Sequence, residues 1–145
     1  MIKTSRLRCW LPVACTLFVL GARSAYCAEP QESHVEAIVS HPELFDGKLL
    51  RISAYILSDR RHSIVLLESR GATQGVALFI PQRVWHSKSV QKLLKKIYSS
   101  PVNDDSMVRG VFTGTFEWHP RSVPSRVLSL VRVSHIETVT MNDHN

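Results

Sequence analysis

Apolar and polar residues alternate along residues 48–57, KLLRISAYIL. Leu50, Ile52, Ala54 and Ile56 fall on one face. Leu49, Arg51, Ser53, Tyr55 and Leu57 fall on the other, the pattern of a strand with one buried side. Two shorter runs follow, at 62–68 and at 75–80, GVALFI, the second stopped by Pro81. Polar stretches at 58–61 and 69–74 separate the three runs, which predicts an antiparallel meander. The period then changes. Val90, Leu93, Leu94 and Ile97 recur at helical spacing, with Lys88, Lys92, Lys95 and Lys96 on the opposite arc, so an amphipathic helix ending near Tyr98 is expected. Pro101 and Asn103-Asp104-Asp105 mark a loop from 99 to 106. Alternation returns over 107–118, with Val108, Gly110, Phe112, Gly114, Phe116 and Trp118 on one face. Its two glycines predict a bend or bulge. A loop containing Pro120 and Pro124 leads to a last strand at about 126–134, with room to continue through Ile136.

Before the first strand, residues 28–33 are polar and read as a short flexible start. Ser33-His34-Val35-Glu36 fits a capping box, and Val35, Ile38 and Val39 extend it into a short helix over 34–40. Pro42 ends that helix, and Asp46-Gly47 makes a turn into the first strand. Three strands, one helix and two strands is the element order of the oligonucleotide/oligosaccharide-binding (OB) fold. The expected class is α+β, mainly β: a five-stranded, OB-like, partly open barrel. Its main helix lies between strands three and four, with a short N-terminal helix before the first. An open α+β sandwich of the same elements is the alternative arrangement.

Charge and cysteine content change meaning once the N-terminus is read. The 145 residues carry 18 Lys and Arg against 12 Asp and Glu, and three cysteines. Lys3, Arg6 and Arg8 precede 14 uncharged residues from Cys9 to Ala22, closed by Arg23. That run is shorter than the roughly 18–20 residues of a membrane span. Small residues at Ala25 and Cys27 flank Tyr26, as at a leader-peptidase site, so residues 1–27 read as a signal peptide cleaved after Cys27. The expected mature protein is one domain, 28–145, in the periplasm or secreted. In the competing outcome, Cys27 is acylated as the first residue of a lipoprotein. Tyr26 argues against this, being bulky where such sites carry a small residue. Removing the leader takes away four cations and Cys9, Cys15 and Cys27. The remainder has a net charge of +2 and no thiol, which excludes thiol catalysis and thiolate metal sites for it.

The run HPELFDGKLLRISAYI, residues 41–56, resembles the opening of small exported bacterial proteins of unknown function. Those share a proline, an aromatic-Asp-Gly-Lys turn and an aliphatic-Arg-aliphatic strand entry. Here the pattern is carried by Pro42, Phe45, Asp46, Gly47, Lys48, Leu50, Arg51 and Ile52. The resemblance covers about a sixth of the mature chain. It implies a barrel and export, and it brings no catalytic residue.

Candidate chemistry is sparse. His34, His41, His62, His86, His119, His135 and His144 are scattered, with no zinc-protease pair. There is no G-x-S-x-G elbow, and Asp104-Asp105 is better suited to a turn than to acid–base work. No metal and no cofactor is expected. Two surface features remain. Lys88, Lys92, Lys95 and Lys96 form a cationic helix face suited to an anionic surface. Arg60, Arg61, His62 and Arg70, beside strand two, and Trp118, His119 and Arg121, after strand four, are candidates for a ligand groove of the OB kind. The favoured expectation is an exported, non-catalytic binding module for an envelope protein, a glycan or an anionic component, with peripheral contact to an anionic membrane surface. Export argues against nucleic acid as the partner. A periplasmic inhibitor or immunity-type protein and a histidine-dependent hydrolase are the alternatives.

Overall fold

The computed structural model describes residues 29–59, 63–99 and 107–139. The expected leader and cleavage site, Arg60, Arg61 and His62, the loop residues Pro101 to Asp105 and the tail from Thr140 lie outside the described residues. So does the choice between a free and a lipidated N-terminus.

Among the described residues are six strands and two α-helices: β1 Gln31–Ser33, α1 Val35–Ser40, β2 Leu49–Ser58, β3 Ile64–Leu67, β4 Val76–Phe79, α2 Lys88–Ser99, β5 Met107–Trp118 and β6 Arg126–Val139. β2, β3 and β4 form the expected antiparallel meander. β4 then pairs in parallel with β6, β6 antiparallel with β5, and β5 antiparallel with β2. This circuit closes a five-stranded mixed barrel of the OB-like kind, with α2 between β4 and β5 in the chain.

The two faces of β2 separate as their alternation predicts. Leu50, Ile52, Ala54 and Ile56 are buried, whereas Arg51, Ser53 and Leu57 are exposed. β5 points Val108, Phe112 and Phe116 inward. α2 packs Val90, Leu93 and Ile97 into the same core. Ser87 caps the helix, its hydroxyl accepting the Val90 N–H at 3.3 Å.

β6 is longer than its alternation indicates, because two bulges break the period. Arg109 and Val111 face Glu137 and Ser134, so one residue, Gly110, is matched by two on β6. Thr113 and Gly114 face Arg132 and Leu130, which leaves Val131 unpaired. His135, at φ 51°, supplies the left-handed backbone of the first irregularity. Both bulges lie beside the glycines of β5, where the ladder must bend.

Two expectations for the start of the domain need correction. Residues 31–33 are a strand, not a loose lead-in. They pair in parallel with Leu50–Ile52 along the edge of β2 that β3 does not reach, and Glu32 lies 3.4 Å from Arg51. A three-residue polar strand has no hydrophobic period, so backbone pairing alone defines it. The capping box does not form either. His34 is the N-cap of α1 and makes no side-chain cap bond, and the part-buried Ser33 hydroxyl has no hydrogen-bond partner. Glu68, beyond β3, does the work instead. One of its carboxylate oxygens accepts the Glu36 N–H at 3.3 Å, and the other lies 3.4 Å from His34 Nδ1.

The 41–56 pattern is structural in this fold. Pro42 begins a 3-10 turn, and Phe45 packs against the core. Gly47, at φ +72°, takes the conformation that favours glycine, and its N–H bonds the Phe116 carbonyl at 2.9 Å. Asp46 Oδ1 accepts the Trp118 N–H at 2.9 Å. The turn thereby clamps the end of β5.

Candidate functional site

Residues paired across adjacent strands share a face. Leu57 pairs with Val65, Val65 with Ala77, and Ala77 with Val127. Leu57 is 54% exposed, so this row lies on the outside of the barrel. Four apolar side chains therefore cross β2, β3, β4 and β6 on the solvent side. The outer face of β5 is mixed, carrying Arg109, Thr113, Thr115 and Glu117 beside Met107 and Val111.

The β5–β6 loop, residues 119–125, borders this row. It is folded on itself: the His119 N–H bonds the Ser125 carbonyl at 2.7 Å, and the Ser122 N–H bonds the His119 carbonyl at 3.0 Å. Ser122, Val123, Pro124 and Ser125 wall a groove of about 250 Å³ whose floor is Val65, Gly75 and Ala77. Val123 is fully exposed at its lip. Arg126, at the groove's end, is anchored by a hydrogen bond to the Val39 carbonyl at 3.2 Å.

Two residues beyond Ala77 on the same face of β4 is Phe79, which opens a second groove of about 340 Å³. Ile64 and Leu94 line it, Trp85 and Tyr98 rim it, and Ser58 and Ser63 flank it. The Trp85 indole N–H donates to the Ile80 carbonyl at 2.9 Å. The Gln91 amide donates to the Trp85 carbonyl at 2.6 Å, which ties the turn before α2 to the helix.

The residues expected to bind ligand have separate fates. Arg60, Arg61 and His62 lie outside the described residues, although Ser58 and Ser63 on either side line the second groove. Arg70 lies over the Tyr55 ring at 5.9 Å, on a ring that also meets Arg109 at 5.5 Å. Trp118 is partly buried against the core. His119 lies 3.2 Å from Glu117, and Arg121 is exposed on the loop. Of this set, Trp118, His119 and Arg121 lie close in sequence at the β5–β6 turn, while Arg70 is engaged with Tyr55. On α2, Lys88, Lys92 and Lys95 are exposed, whereas Lys96 donates to the Thr138 hydroxyl at 2.9 Å.

Sequence reasoning missed Phe79, Trp85 and Tyr98. Phe79 was legible as the outward residue of an alternating strand. Trp85 and Tyr98 sit at the turn before α2 and on the edge of its stripe, where period carries no signal. Among the described residues, no three His, Cys, Asp or Glu side chains gather as a metal site, and no helix is long and apolar enough to cross a membrane. No family model, curated protein or solved structure matches this chain.

Proposed function

We propose that this protein is an exported, non-catalytic binding module. Its site is the outer face of β3 and β4 with the 119–125 loop, and its partner is an envelope protein that presents an apolar segment. One observation carries the reading: the row Leu57, Val65, Ala77 and Val127 lies in register on the solvent side of the barrel. Exposed apolar surface is ordinary when scattered, but a contiguous band beside a groove is the mark of an interaction surface. Aliphatic side chains favour a protein ligand over a glycan, whose hydroxyls need hydrogen-bonding partners when covered.

Export is supported by the leader-like pattern of residues 1–27 and by the resemblance of residues 41–56 to small exported bacterial proteins. The absence of thiols after Cys27 suits an oxidising compartment, where a spare cysteine can mispair.

The test is site-specific photocrosslinking in intact cells. Probes at Leu57 and Val123 are expected to capture one common protein, and a probe at the exposed Arg132 of β6 is not. Leu57→Asp should abolish the product formed from Val123. Identical products from all three positions, or none from Leu57 and Val123, would overturn the proposal.

A further inference from the structure

Residues 80–99 carry five cations, Arg83, Lys88, Lys92, Lys95 and Lys96, and no carboxylate. The other described residues carry seven cations and nine carboxylates. Positive charge is therefore concentrated on one segment of a nearly balanced domain. The same segment presents rings. Trp85 is 47% exposed, Tyr98 56%, and the neighbouring Phe79 56%, all three around one groove.

The two features adjoin. On a helix of 3.6 residues per turn, Tyr98 and Lys95 are about 60° apart, and Lys88 and Lys92 continue the arc away from the groove. Lys96 is turned to Thr138, which leaves Arg83, Lys88, Lys92 and Lys95 as the outward cations. Trp85 is held by its bond to Ile80, and Gln91 secures the turn beneath it. The Trp85 ring is thus fixed at the surface.

Each chemistry restricts the occupant. Cations without intervening carboxylates select a polyanionic surface. Exposed Trp and Tyr at the border of a cationic face suit the bilayer interface, where an apolar ring body and a polar tip are both satisfied. A soluble acidic polymer uses the cations but leaves the rings without a role. We infer that the α2 side of the barrel docks on an anionic phospholipid bilayer: Lys88, Lys92 and Lys95 meet the headgroups while Trp85, Tyr98 and Phe79 enter the interface. This surface meets the row proposed to bind a protein at Phe79 on β4, but Lys88, Lys92, Lys95, Trp85 and Tyr98 lie outside that row, so each proposal is tested by its own variants.

The experiment uses the full chain carrying Trp10→Phe in every sample, so that Trp85 and Trp118 are its only tryptophans and the residues outside this face are the same throughout. Vesicles of phosphatidylcholine mixed with phosphatidylglycerol are compared with phosphatidylcholine alone by cosedimentation and tryptophan emission. The wild-type protein should bind the anionic vesicles preferentially. Each lysine near such a surface contributes roughly fivefold, so Lys88→Gln/Lys92→Gln/Lys95→Gln should weaken binding on the order of 100-fold with an unchanged circular dichroism spectrum. The blue shift of emission on binding should vanish in Trp85→Phe and persist in Trp118→Phe. Equal affinity of the triple variant and the wild type overturns the inference, as does a blue shift that survives Trp85→Phe. Equal binding to dextran sulfate and to anionic vesicles, with no change in Trp85 emission, overturns it in favour of an acidic polymer.

Discussion

Substituting Gly114 by alanine tests how closely β5 and β6 approach at the second bulge. Gly114 pairs with Leu50 on one side and Leu130 on the other, at the point where β6 carries the extra Val131. A Cβ built there runs into the Ser129 carbonyl oxygen and comes within 3.0 Å of Leu128 Cγ. Neither obstacle can yield easily. The carbonyl belongs to a paired backbone, and Leu128 is fully buried. Forcing an added methyl into such a place costs roughly 1–3 kcal/mol, and backbone contact puts Gly114 at the upper end. Loss of glycine's freedom in the unfolded chain returns about 0.4–1 kcal/mol. The net expectation is a loss of about 2 kcal/mol, or roughly 10 °C in Tm for a domain of this size. Gly71→Ala is the matched control, because a Cβ there meets nothing within 4 Å and the backbone is not left-handed. It should leave stability unchanged or raise it by up to about 1 kcal/mol. Thermal and urea unfolding followed by far-ultraviolet circular dichroism measure both. A Gly114→Ala protein within about 0.5 kcal/mol of wild type, an ordinary surface effect, would refute the close approach.

Two further substitutions probe the C-terminal end of the same strand, beside the crosslinking and vesicle experiments above. Phe116→Ala empties a fully buried position in the core and should cost about 3–5 kcal/mol in urea unfolding. Asp46→Ala removes the acceptor of the Trp118 N–H at an exposed site and should cost only about 0.5–1.5 kcal/mol. Asp46→Asn, which keeps a side-chain oxygen, should recover most of that loss in the same assay.

The clamp at Asp46-Gly47 bears on how the 41–56 pattern is understood. Five of its residues have a task within the barrel: the proline starts a turn, the aromatic packs, Asp46 and Gly47 hold β5, and Arg51 meets Glu32. In this structure the pattern serves the turn into β2 and its junction with β5. Both proposed surfaces lie outside residues 41–56, one running from Leu57 across β3, β4 and β6 and the other on the α2 side.

The local period of the chain by itself determined most of the elements. β2 and β5 were legible because each has one fully buried side, so burial imposes a strict alternation on ten or more residues. α2 was legible for the same reason at helical period, through Val90, Leu93 and Ile97. Their order along the chain was enough to indicate a small barrel. Tertiary structure decided what period cannot encode. β1 exists because an edge of β2 is free to pair, and Glu68 replaces Ser33 at the start of α1 because β3 ends beside it. The parallel pairing of β4 with β6, and the register that aligns Leu57, Val65, Ala77 and Val127, join residues distant in sequence. The same holds for the meeting of Phe79, Trp85 and Tyr98 around one groove, and for the loss of Lys96 from the cationic face to Thr138. Alternation records which side of a strand or helix avoids water, a property of neighbouring residues. A binding surface depends on which separate segments come to share an outer face, and that is settled only when the barrel closes.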